Sequence, residues 1–151
     1  MSYLAINILP NIWIGNIQAA EKESFFEKEN ITCVLNISKT VPNFFIYDSK
    51  VEYIRIPIDK KDLLTNYYKY FPIISEYIYK STVLQKQNIL IHDNEKGEIL
   101  ACIALYTYLI KYYKKTVQDS INITNVQNTN FSCNIDDNIK NILYKWYELN
   151  Q

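Results

Sequence analysis

His92, the chain's only histidine, ends a run of β-branched and apolar residues from Asn88. Asp93, Asn94, Glu95, Lys96, Gly97, Glu98 and Ile99 follow it at once. A strand that delivers an imidazole to a short loop, with a long apolar helix pattern behind it, can grip a phosphate. Backbone N–H groups and the positive end of the helix dipole do the work. The side chains of this loop oppose that use, because Asp93, Glu95 and Glu98 face a single Lys96. The spacing therefore points to anion chemistry while the charges point away from it.

Other chemistry-bearing residues are sparse. Cys33, Cys102 and Cys133 are odd in number and widely spaced, with no paired spacing and no clustered histidines. That pattern predicts a reduced protein without structural zinc, each thiol serving as a small buried hydrophobe. No cysteine stands beside a candidate base, and no residue pattern implies a metal or a cofactor.

The elements that must position these residues alternate. Ile6, Ile8, Ile12 and Ile14 surround Pro10 in an extended segment closing at Gly15, which predicts an opening β element. Ala19, Ala20, Phe25 and Phe26 among charges suit an amphipathic helix over 18–28, and Ile31 to Ile37 suits a strand buried on both faces. Val51 to Ile58 predicts a further strand with Pro57 near its end. After the polar turn 59–62, aromatic and aliphatic residues recur at helical spacing from Tyr67 to Ile78. Pro72 is best placed in a first turn, so that helix is expected to start near Tyr70. The strand 88–92 and helices over about 97–114, 117–126 and 136–149 complete the chain. The last of them turns Ile139, Ile142, Leu143 and Trp146 inward. Strands alternating with helices predict an α/β fold, a central, largely parallel sheet flanked by helices on both faces.

At 151 residues and 48% hydrophobic content, the chain can bury one sizeable core, and residues 1–151 are expected to form a single domain. Sixteen basic residues balance sixteen acidic ones. Such a balance supplies no field for nucleic acid or an anionic membrane, so a partner would be recognised by shape. The first residues lack a basic, then apolar, leader pattern, and the apolar run 99–110 falls short of the roughly 20 residues that span a bilayer. A cytoplasmic protein is expected. The sequons at Asn30, Asn36, Asn122 and Asn130 then carry no meaning. Heavy use of isoleucine, asparagine, lysine and tyrosine suggests an AT-rich coding genome, such as that of a large DNA virus or a protist. In a virus, the place of action would be the host cell.

Four blocks occur in order: Ile8 to Asn16, Ile31 to Ser38, Ile54 to Asp59 and Ile89 to His92. Together they resemble the successive core blocks of the small dual-specificity protein phosphatases over nearly the whole chain. The resemblance implies a loop with a nucleophilic cysteine after the histidine, then five residues, then an arginine. The thiolate attacks phosphorus and the arginine's planar fork holds two phosphate oxygens. Laid onto that pattern, His92 is kept, Asp93 stands at the cysteine position and Ile99 at the arginine position. The mid-loop glycine position falls on Lys96 and the hydroxyl position on Glu98, with Gly97 one place late. Asp59 and Asp62 both stand near the place of the family's general acid, and without a cysteine to serve they read as solvated turn residues.

The resemblance thus implies a catalytically inactive member, a pseudophosphatase that binds another protein or supports an assembly. Asp93 is expected to occupy the anion site itself, joined to a backbone amide, rather than to accept a phosphoryl group, since carboxylate acceptors use a metal to offset charge. Capture of a phosphorylated side chain without cleavage is opposed by the lost arginine and by Glu95 and Glu98. Two rival readings remain: a phosphatase or RNA 5′-triphosphatase working by unfamiliar chemistry, and a self-associating structural subunit, a homodimer through exposed tyrosines. Tyr67, Tyr68 and Tyr70 are placed in the core rather than on a peptide-binding face. His92 is read as an orienting, hydrogen-bonded group rather than a base.

Overall fold

The computed structural model describes residues 5–93, 99–127 and 135–151. Five strands form one sheet, in the order β1-β2-β5-β3-β4. These are β1 (Ala5–Leu9), β2 (Ile12–Gly15), β3 (Ile31–Asn36), β4 (Glu52–Arg55) and β5 (Asn88–His92). Only the β1/β2 pair is antiparallel. The opening element is a hairpin rather than one extended segment. Asn11 takes a left-handed conformation at φ 71°, which asparagine tolerates, and the Asn7 amide donates to the carbonyls of Leu9 and Ile12 across the turn.

Period-two alternation assigns the two faces of the sheet. Ile12, Ile14, Cys33, Leu35, Ile89 and Ile91 belong to the larger core, packed with α3 (Lys60–Tyr79), α4 (Ile99–Tyr113), α5 (Val117–Gln127) and α6 (Asp137–Leu149). Val34, Leu90 and Trp13 turn to the other face. There Ala19, Ala20, Phe25 and Phe26 of α1 (Ile17–Ala20) and α2 (Glu23–Lys28) cover them. Where one helix is expected over 18–28, the chain breaks between these two short helices. α4 is buried all round from Ala101 to Ile110, whereas α6 buries only Ile139, Ile142, Leu143 and Trp146. The Trp146 indole N–H donates to the Thr107 carbonyl at 3.0 Å, which locks α6 onto α4.

The expected start of α3 near Tyr70 is corrected. The helix begins at Lys60, capped by Asp59, and breaks at Asn66 (φ −125°, ψ 20°). Pro72 therefore lies inside it, beyond its first turn. Beside it Tyr68 is 62% exposed, so water can solvate the carbonyl that Pro72 leaves without an amide partner. That exposure corrects the expected place of Tyr68 in the core, whereas Tyr67 and Tyr70 pack against it. The strand expected over 51–58 is shorter, ending before Pro57. Cys33 is a free buried thiol, but Cys102 is disulfide-bonded, which corrects the expectation that every cysteine is reduced.

Candidate functional site

The carboxyl ends of the parallel strands bring the candidate residues together. His92 ends β5 beside Gly15 of β2 and Asn36 of β3. Its carbonyl accepts from the Ile37 N–H, and its Nδ1–H donates to the Asp93 carbonyl at 3.1 Å. The ring is buried, and burial together with the nearby Arg55 charge pushes its pKa down to about 4, against the pull of the Asp93 carbonyl. At neutral pH this imidazole is uncharged, and Nε2 has no hydrogen bond among the described residues.

Asp93 is only 2% exposed and turns its carboxylate onto the start of α4. Oδ2 accepts from the backbone N–H of Leu100 at 2.9 Å and of Ala101 at 3.2 Å. These are amides that a helix start leaves without partners, so a carboxylate there is favoured by hydrogen bonding and by the dipole. Ile99, the first residue of α4, is half-buried and packs against the larger core. Asn94, Glu95, Lys96, Gly97 and Glu98 lie outside the described residues.

Asp59 and Asp62 make their contacts with α3 and Lys39. Asp59 Oδ1 accepts from the Asp62 N–H at 2.7 Å, capping α3. Its Oδ2 pairs with Lys39 at 2.8 Å, and Asp62 lies 3.5 Å from the same ammonium. The Lys39 contact holds the Asp59 carboxyl below its usual range. Such a group is a poor proton donor near neutrality.

The loop after β3 is braced from inside, a feature that sequence reasoning did not pick out. Buried Asn36 donates from Nδ2 to the Val41 carbonyl and to Asn43 Oδ1, and its Oδ1 accepts from the Ser38 N–H. Ser38 Oγ accepts from the N–H groups of Thr40 and Val41. Arg55 spends its fork on the carbonyls of Ser38 (2.7 Å) and Val41 (2.6 Å). The chain's single arginine, placed among the apolar residues Ile54, Ile56 and Ile58, was the available signal. Among the described residues, no group of three or more His, Cys, Asp or Glu side chains is placed to hold a metal ion.

Comparison with known proteins is decisive at the family level. The family described as dual specificity phosphatase, catalytic domain, matches residues 12–148. The chain belongs to the dual-specificity phosphatase family. Human dual specificity protein phosphatase 9 is 24% identical over 131 residues, covering 87% of this chain; the chain spans 33% of that relative's length. The fold is similar to that of the human tyrosine phosphatase-like serine/threonine/tyrosine-interacting protein (TM-score 0.79, 18% identity, 96% of each chain). It is also similar to that of human DUSP28 (TM-score 0.75, 17% identity, 99% of this chain and 98% of that one). In this dual-specificity phosphatase domain the mostly parallel sheet with helices on both faces is as expected. No described helix is long and apolar enough to cross a membrane.

Proposed function

We propose that residues 1–151 form one pseudophosphatase domain, a dual-specificity phosphatase scaffold that has lost catalysis and acts by binding another protein. The carrying observation is Asp93. Its buried carboxyl group takes up the Leu100 and Ala101 amides, the kind of donors that an incoming phosphate would need. A dianion approaching the same amides would have to displace that carboxylate and desolvate beside it. Ile99, at the position where the family resemblance expects the arginine, packs against the core and offers no donor. The only guanidinium near His92, that of Arg55, is occupied by two carbonyls. A similarly folded protein is itself named phosphatase-like and interacting, which supports the same kind of role here.

The test is hydrolysis of an aryl phosphate and a phosphotyrosine peptide by purified protein. The expected result is no turnover above buffer, and no saturable binding of the peptide by calorimetry. The paired reversion Asp93→Cys with Ile99→Arg is expected to restore little or nothing, because Lys96 and the two glutamates of the loop remain. Turnover by the natural chain that disappears in Asp93→Ala would overturn the proposal.

A further inference from the structure

At the other pole of the sheet lies a cavity of about 370 Å³ that has no part in the site described above. Ile12 lines it and pairs with Ile89 at the start of the parallel strands, whereas Gly15 pairs with His92 at their end. Three residues of strand separate the two poles, about 10 Å. The walls are apolar: Leu9 and Ile12 from the hairpin, Leu109 from α4, Ile123 from α5, and Val83. Val83 belongs to a π-helical turn, Lys80–Leu84, that ends α3. Such widened turns are rare and recur where a helix is shaped around a function.

Polar groups stand among these walls as well: Asn11, Thr82, an ammonium and two phenols. Among the described residues, Lys115 is the only charged one lining the cavity, and it makes no ion pair. Tyr108 and Tyr113 line the same cavity. Tyr108 Oη donates to Tyr113 Oη at 3.3 Å, so the Tyr113 hydroxyl keeps its own proton to give. Burial raises the Tyr108 pKa, which keeps that phenol neutral and donating.

We propose that this cavity binds a small monocarboxylate with an apolar chain, the chain lying between Ile12, Val83 and Ile123 and the carboxylate meeting Lys115 and the Tyr113 hydroxyl. One ammonium and one hydroxyl donor match the two oxygens and single charge of a carboxylate. The volume is at the low end of ligand pockets, which suits one medium-length chain. This inference goes beyond the pseudophosphatase reading and does not depend on it.

Titration of the full chain with decanoate, decanol and decylammonium, followed by amide chemical shifts, tests the proposal. Decanoate is expected to give saturable shifts at the lining residues. It should bind about three- to fivefold more tightly than decanol, the worth of an exposed ion pair. Lys115→Ala should bring decanoate to the level of decanol and leave decanol unchanged. Val83→Trp should abolish both by filling the cavity. Absence of saturation, shifts confined to other surfaces, or decylammonium binding as well as decanoate would each overturn it. If Val83→Trp does not fold, the ligand series and Lys115→Ala still decide.

Discussion

Removing the Asp93 carboxylate separates a structural cap from a residue kept for chemistry. In Asp93→Ala, two backbone donors at the head of α4 lose their common acceptor. Ala101 is buried, so its N–H has no water to turn to, and a buried unsatisfied donor costs about 1–3 kcal/mol. Leu100 is half-buried and its amide can be partly solvated, leaving the smaller cost of a lost helix cap, about 0.5–2 kcal/mol. The two overlap, since one side chain serves both, and a loss of about 2–3 kcal/mol is expected. For a chain of this size that is a fall of about 5–10 °C in Tm. Asp93→Asn keeps an oxygen facing the same amides and gives up only the charge, so it should lose about 1 kcal/mol. Urea unfolding followed by the fluorescence of Trp13 and Trp146 measures both variants. A residue held for function against the interests of the fold behaves oppositely, and its removal commonly stabilises. An Asp93→Ala variant as stable as the natural chain, or more stable, would refute the cap and with it the main support for an inactive site.

Other outcomes follow from the same framework. Burial holds the His92 pKa at about 4, below the ordinary 6.5, so the unfolded chain takes up the proton first as acid is added. The stability this residue contributes is fully present above about pH 6.5 and is lost towards pH 4, by at most about 1.4 kcal/mol per pH unit. Unfolding at pH 5, 6 and 7 should show that slope in the natural chain and a flatter one in His92→Gln; equal slopes would exclude His92 as its source. Asn36→Ala removes three hydrogen bonds from a buried side chain and should cost about 2–3 kcal/mol, with faster amide exchange in residues 38–43. Arg55→Lys keeps the charge but cannot reach the Ser38 and Val41 carbonyls together, so a loss of about 1–2 kcal/mol in the same assay is expected.

How much was legible in the sequence depends on the range of the interaction that decides each feature. β3 and β5 announced themselves as apolar runs because both faces of a central parallel strand are buried. α6 did so through Ile139, Ile142, Leu143 and Trp146, which recur at helical spacing. The start of α3 was not legible from Pro72, because what permits a proline there is a break at Asn66 and solvent beside Tyr68, neither written in the pattern of apolar residues. The hairpin at Pro10 and Asn11 is not legible for a similar reason: a left-handed asparagine looks like any other asparagine in the sequence. At the candidate site, the chemistry of the types was readable and their partners were not. Asp59 and Asp62 follow a strand in a polar turn, but only folding brings Lys39 from twenty residues away to fix Asp59 as a cap. Arg55, Ser38 and Asn36 sit in the blocks that carry the family resemblance, yet their mutual bonds join β3, its loop and β4. Asp93 is the case in between. Its carboxylate precedes α4 in the chain, but five residues separate it from Ile99, and its bonds to the Leu100 and Ala101 amides reach seven and eight residues along the chain. Orphan amides at a helix start favour a carboxyl group as a lasting acceptor. A chain released from catalysis can gain stability at this position by a single change of residue type, which is why the capping measurement bears on the origin of the site as well as on its present state.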